Sequence, residues 1–170
     1  SIIRADSATD VISSLENDVK KVIFVSTDKA CSPVNTYGAC KFIGERIITE
    51  SNFNKGTSKT VFSCVRYGNV INSTGSVFPL FIDKIKNGKK IPLTSGDMTR
   101  FFITPKGAVN LIFKAIKYGG GGEIFVPKLP SVKMDNLIFS LKKSYNTNNP
   151  VEIIGLRPGE KIHEQMINDA

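Results

Sequence analysis

The chain is predicted to be an α/β protein, and three observations carry that prediction. Helix-period and strand-period segments alternate along its length. VIFVS at residues 22–26 has no polar face, as in strands buried on both sides within a parallel sheet. The 170 residues, 41% hydrophobic and 22% charged, are enough to bury a sizeable core in one domain.

Taken in order, residues 7–17 form an amphipathic helix with Val11, Ile12 and Leu15 on one face. The strand at 22–26 follows, then a helix over 35–49 with Phe42, Ile43 and Ile47 turned inward. VFSCVRYG (61–68) is a second strand, VFPLFIDKIKNG (77–88) a helix ended by Gly88, and IPLT (91–94) a short extended piece. Thr104 and Pro105 have the residue types of an N-cap and first helical position, opening a helix that runs to Tyr118. Strands EIFVP (123–127) and VEIIG (151–155) flank a helix over 133–145, and RPGEKIHEQMI adds a last helix from Pro158. NTNNP (146–150) is a loop, and no internal repeat is visible.

Composition removes several classes of function. No apolar run reaches the ~18 residues of a membrane span and no signal peptide opens the chain, so no membrane association is expected. The net charge of +8 is scattered, with small clusters at Lys86–Lys90 and Lys142–Lys143 near helix ends, where cations complement the dipole. A nucleic-acid surface would concentrate them on one face among aromatics, so no such partner is expected. Cys31, Cys40 and Cys64 make no CxxC pair and one histidine cannot complete a zinc site with them. They read as reduced structural thiols of a cytoplasmic protein, with Cys40 packed against the sheet and no metal. The glycines at 119–122 lie between a helix and a strand, the reverse of a phosphate loop, and so read as a helix end.

The chemistry gathers after Ser26. STDK follows the apolar strand, and ten residues on a helix opens with Tyr37 and Lys41 four apart on one face. A free tyrosine titrates near ~10, and a neighbouring ammonium favours its ionised form. YxxxK alone is a weak signal, and Asp28 with Lys29 alone would read as a solvated loop pair. The order of strand, STDK, loop with Pro33 and YxxxK is the arrangement of extended short-chain dehydrogenase/reductases.

Five ordered motifs narrow the match: STDKACSPVNTYGACK, VRYGNVINSTGSVFPLF, DMTRFFIT, GGEIFVPKLPSVKM and GLRPGEKIHE. The chain resembles inverting UDP-N-acetylglucosamine 4,6-dehydratases of pseudaminic acid biosynthesis over roughly residues 18–167. Large membrane-anchored relatives tend to carry Met at the position of Tyr37, so the tyrosine points to the short soluble branch. The resemblance implies the C-terminal portion of a Rossmann-like extended fold. Residues 1–76 would hold the second half of the sheet with the catalytic groups, and residues 77–170 mainly the substrate-binding part. It implies hydride transfer to and from NADP by Thr27, Tyr37 and Lys41. Lys29 would take the proton from C5 of the sugar, and Asp28 would protonate the departing 6-hydroxyl. Tyr37, Lys41, Tyr67, Gly68 and Val70 would hold the cofactor. Asn69, Thr74, Gly75, Ser76, Val77, Thr94, Arg100, Arg157 and Glu160 would hold the UDP-sugar, with capping of the last helix an equal role for Glu160. His163 reads as a partly exposed helix residue.

The family's glycine-rich βαβ unit for the cofactor is not found, and the chain opens at Ser1 without methionine. A piece of a longer polypeptide, or a partner held in a homo-oligomer, is therefore expected, with weak or absent NADP binding by the 170 residues alone. A UDP-sugar epimerase, another nucleotide-sugar dehydratase, and a non-catalytic UDP-sugar-binding or assembly fragment remain as alternatives.

Overall fold

The apolar segment at 22–26 forms the centre of a parallel sheet in the computed structural model, which describes residues 2–5, 8–73 and 75–168. The chain divides into two compact units. One comprises Ser1–Tyr67, Lys106–Lys128 and Gln165–Ala170; the other comprises Gly68–Pro105 and Leu129–Glu164.

In the first unit, β1 (Ile2–Ala5), β2 (Lys21–Thr27), β3 (Val61–Tyr67) and β7 (Ile124–Phe125) pair in the order β1-β2-β3-β7, all parallel. β2 and β3 run in register from Lys21 opposite Val61 to Thr27 opposite Tyr67. Successive side chains leave opposite faces of a strand. Val22, Phe24, Phe62 and Cys64 therefore pack on one face with Val11 of α1 (Ala8–Glu16) and Ile48 of α2 (Thr36–Asn54). Ile23 and Val65 pack on the other with Leu111 and Ala115 of α4 (Pro105–Tyr118). Helices on both faces are what an unbroken apolar strand demands.

Two helix faces differ from the expected ones. Ile12 of α1 is exposed, and so are Ile43 and Ile47 of α2. The inward line of α2 is instead Gly38, Glu45 and Ile48, because the helix packs its small and polar residues against the sheet. Cys40 lies on the exposed side of α2, whereas Cys31 and Cys64 are buried. α2 also runs one turn beyond its expected end. Asn52 near that end pairs with the backbone of Phe62, donating to its carbonyl at 2.8 Å and accepting from its N–H at 3.1 Å.

The second unit holds β4 (Asn69–Val70), β6 (Thr99–Ile103) and β8 (Ser131–Lys133) in the order β4-β6-β8, elements not anticipated from the sequence. β5 (Ile91–Leu93) pairs in parallel with β9 (Val151–Ile153). Its core joins Phe81 and Ile85 of α3 (Val77–Lys86) to Met134, Ile138 and Leu141 of α5 (Met134–Ser144). Lys84, Lys86, Lys142 and Lys143 occupy the last turns of these helices, the placement that complements the dipole. Gly88, at φ 64°, ends α3.

The last helix, expected from Pro158, does not form. Glu160 N–H donates to the carbonyl of Arg157 at 3.1 Å, and Gly159 has φ 77°. Proline followed by a left-handed glycine is the central pair of a type II turn, which competes with a helix start at the same residues. The glycine run at 119–122 behaves as expected, with Gly119 N–H closing α4 on the Ala115 carbonyl. The Gly120 and Gly121 amides donate to the Glu123 carboxylate at 2.8 Å each. Partial burial raises this carboxyl, but the two amides and the Ser63 hydroxyl outweigh that and hold it below its usual range. No helix among the described residues is long and apolar enough to cross a membrane.

A buried ion pair ties α2 to the sheet. Arg66 Nε donates to Glu45 Oε1 at 2.9 Å and Nη2 to Oε2 at 2.7 Å, while Nη1 reaches the Met166 carbonyl at 2.9 Å. The hydrogen bonds that Arg66 donates to Glu45 hold the guanidinium above its ordinary value against the effect of burial. Burial pushes the neighbouring Cys64 thiol up, with the Glu45 charge adding to it. Glu45→Ala leaves a buried cation uncompensated and is expected to lower unfolding free energy by about 3–5 kcal/mol. The double replacement Glu45→Met with Arg66→Met should lose less than the two single losses combined. Urea unfolding of the unaltered protein, Glu45→Ala, the two single methionine variants and the double variant measures both.

Candidate active site

Thr27 ends β2 and caps a single 3-10 turn, Asp28–Ala30, with its hydroxyl accepting from Lys29 N–H at 3.4 Å. The same hydroxyl donates to Asp28 Oδ1 at 3.0 Å, and Lys29 Nζ lies 3.0 Å from that oxygen. Asp28 is 0% exposed, and its Oδ2 has no hydrogen-bond partner among the described residues. A buried acceptor without a partner costs about 1–3 kcal/mol, so the chain retains an expensive group here. Lys29 is partly exposed at its side chain. An acid or base buried beside a reachable ammonium is suited to moving protons to and from a bound molecule.

α2 starts directly beside this turn. Asn35 caps it, accepting from Gly38 N–H at 2.8 Å. A Cβ at Gly38 would lie 2.3 Å from the Lys29 carbonyl oxygen, and one at Gly44 would lie 2.4 Å from the Phe24 ring. Only glycines allow the helix to approach so closely. Tyr37 is 55% exposed, and Lys41 one turn later donates to the Val25 carbonyl at 2.9 Å. The Lys41 ammonium also stands 4.8 Å from the Phe24 ring centre. Helix and strand thus fix Lys41 while Tyr37 stays open to a ligand. The remaining first-unit candidate, Tyr67, lies opposite Thr27 in the sheet.

The other candidates belong to the second unit. Gly68 meets a local need, since a Cβ there would lie 2.4 Å from the Phe101 carbonyl oxygen. Asn69 and Val70 form β4 against Phe102 and Ile103. Asn69 Oδ1 is buried without a partner among the described residues. Ser73 donates through its hydroxyl to the Val70 carbonyl at 2.8 Å, and Ser76 N–H returns to the Ser73 carbonyl at 3.0 Å. Gly75 turns the chain at φ 75°. Ser76 stands at the N-cap of α3 without a side-chain capping bond, its Oγ buried and without a partner among the described residues, and Val77 opens the helix. Thr74 lies outside the described residues.

Thr94, Arg100, Arg157 and Glu160 gather around one loop. Thr94 Oγ1 donates to Glu160 Oε1 at 3.5 Å, and Glu160 Oε2 accepts from Arg157 N–H at 3.4 Å. Arg100 is buried, and Arg157 is exposed. Glu160 therefore caps a turn and not a helix, and His163 lies on a β-bridge to Thr99 with Nδ1 2.9 Å from its hydroxyl. Sequence reading passed over Ser26, whose Oγ, immediately before Thr27, is buried and has no partner among the described residues. It also passed over Glu45, although its place four residues after Lys41 put it on the same helix face.

A family model described as polysaccharide biosynthesis protein matches residues 5–170. An inverting UDP-N-acetylglucosamine 4,6-dehydratase of Campylobacter jejuni is 46% identical over 90% of the chain and 45% of the relative. A UDP-glucose 4-epimerase of Rickettsia rickettsii is 39% identical over 91% of the chain and 46% of the relative. The X-ray structure of Pen from Bacillus thuringiensis superposes with a TM-score of 0.89 at 41% identity, over 93% of this chain and 50% of that one. A dTDP-glucose 4,6-dehydratase of Streptomyces venezuelae, solved with NAD bound, shares the fold at 18% identity and a TM-score of 0.83, over 94% and 55%. The chain spans about half the length of the curated relatives it matches.

The Gly38 contact yields a direct test. Gly38→Ala forces a methyl group into a carbonyl oxygen, and the backbone on both sides must give way. A loss of about 1–3 kcal/mol in urea unfolding is expected.

Proposed function

Because the chain belongs to the family of polysaccharide biosynthesis proteins, we propose that the intact protein is a UDP-N-acetylglucosamine 4,6-dehydratase that inverts C5. The observation carrying this reading is the turn after β2, where buried Asp28 is bonded to Lys29 and keeps one carboxyl oxygen without a partner among the described residues. Alcohol oxidation and its reversal need only Thr27, Tyr37 and Lys41. Loss of water also needs a base at C5 and an acid at the 6-hydroxyl, and an adjacent lysine and aspartate supply both.

The residues present fit a nicotinamide cofactor. Tyr37 is open, and the Lys41 ammonium, with three N–H groups, gives one to the Val25 carbonyl. Such a cofactor, NADP by resemblance, would supply a hydride carrier that accepts from C4 and gives back to C6, with Tyr37, Lys41 and Tyr67 among its contacts. Tyr37, in its phenolate form, takes the proton of the sugar 4-hydroxyl and becomes the phenol, and Lys41 on the same helix face offers positive charge to that phenolate beforehand. With C4 a ketone, the C5 hydrogen becomes acidic and Lys29 removes it as the neutral amine, Asp28 then holding the acid proton. Asp28 protonates the departing 6-hydroxyl, so water leaves across C5 and C6. A proton delivered to the opposite face of C5 then sets the inverted centre. In the second unit, Asn69, the loop and helix start at residues 73–77, Thr94 and Arg157 are assigned to the UDP-sugar. The α3 N-terminus favours its negative charge, and the exposed guanidinium of Arg157 suits a diphosphate.

A second reading, UDP-sugar 4-epimerase, is favoured by the Rickettsia relative. The two separate in deuterium oxide. The intact protein given UDP-N-acetylglucosamine should form a 4-keto, 6-deoxy sugar nucleotide carrying solvent deuterium at C5, read by NMR. Tyr37→Phe should slow its formation by about 100-fold or more. A C4 epimer with no deuterium would replace the dehydratase reading with the epimerase one.

A further inference from the structure

Arg100 was assigned to the ligand on sequence grounds, and its surroundings point to a different task. It projects from β6 with 7% exposure. Nη1 donates to the carbonyls of Thr99 at 2.7 Å and Ile162 at 3.0 Å, and Nη2 donates to that of Lys161 at 2.9 Å. Nη2 also lies 3.8 Å from Glu160 Oε1. A guanidinium has five N–H donors in a rigid fork, and this one is largely committed to protein backbone. The segment it grips is further held by Thr99 N–H on the Ile162 carbonyl at 3.0 Å.

These bonds converge on one turn. Glu160, paired with Arg100, accepts from Thr94 and from Arg157 N–H, and its own N–H closes the turn on the Arg157 carbonyl. Arg157 heads that turn and is exposed. We infer that Arg100 is a positioning residue, which fixes the 157–160 turn through Glu160 and the Lys161 and Ile162 carbonyls and so presents Arg157 to the diphosphate. The inference rests on the reading of Arg157 given above. Removing the fork takes a donor from three carbonyls, of which Ile162 keeps its bond from Thr99 N–H, and leaves Glu160 without the Arg100 cation, so the turn loses much of its anchor while Arg157 itself is intact.

Calorimetric titration of UDP into the intact protein tests this. Arg157→Ala should weaken UDP binding by about 10- to 100-fold, the range of a charge-assisted hydrogen bond. Arg100→Gln should weaken it by a comparable factor, and the double variant should bind no more weakly than Arg157→Ala alone. With the UDP-sugar, Arg100→Gln should raise KM while kcat stays within a few-fold. Losses that multiply in the double variant would overturn the inference, as would unaltered binding by Arg100→Gln. If Arg100→Gln does not fold, Arg100→Lys carries the same comparison, since it keeps the charge beside Glu160 without the fork. Arg157→Ala binding UDP like the unaltered protein would instead overturn the diphosphate reading, together with the inference built on it.

Discussion

The closest constraint in the first unit is the approach of α2 to the turn that follows β2. A helix whose glycine sits against the Lys29 carbonyl cannot slide or roll without collision. Gly44 repeats the constraint one and a half turns later on the Phe24 ring, and Lys41 between them is tied to the Val25 carbonyl. Glu45 completes the line through its paired bonds to Arg66. Each contact fixes the helix along and around its axis, and the position of Tyr37 follows from them. The same contact holds the turn bearing Asp28 and Lys29 from its backbone side, leaving their side chains to make their own interactions.

A glycine and a paired glutamate beside Ile48 on the inward face of a helix run against the usual pattern, and they explain what sequence reading could and could not reach. VIFVS declared β2 because a strand covered on both faces must be apolar throughout, and Pro105 and Gly88 marked helix ends by their backbone limits. The STDK and YxxxK spacings located the candidate catalytic groups by their order along the chain. The inward face of α2 was only partly legible, since Ile43 and Ile47 are exposed while Ile48 beside them is buried. Close packing on glycine and a buried ion pair replaced the hydrophobic stripe there.

The second unit was harder to read because its strands are two to five residues long and derive their pairing from distant partners. Residues 69–70, 99–103 and 131–133 carry too short a pattern to announce a sheet. RPGE offered a helix start and a type II turn in the same four letters, and the anchorage of the following carbonyls by Arg100 accompanies the turn. The glycine run at 119–122 shows the opposite case. Its order alone excluded a phosphate loop, and two of its amides hold the carboxylate of Glu123.

The central claim is that the Asp28–Lys29 turn adds elimination to an alcohol-oxidising site. Lys29→Met of the intact protein, supplied with UDP-N-acetylglucosamine in deuterium oxide, addresses it most directly. Oxidation at C4 with no deuterium entering C5 and no 6-deoxy product is the expected result. Deuterium entering C5 at the unaltered rate would contradict the claim, because another base would then be removing that proton.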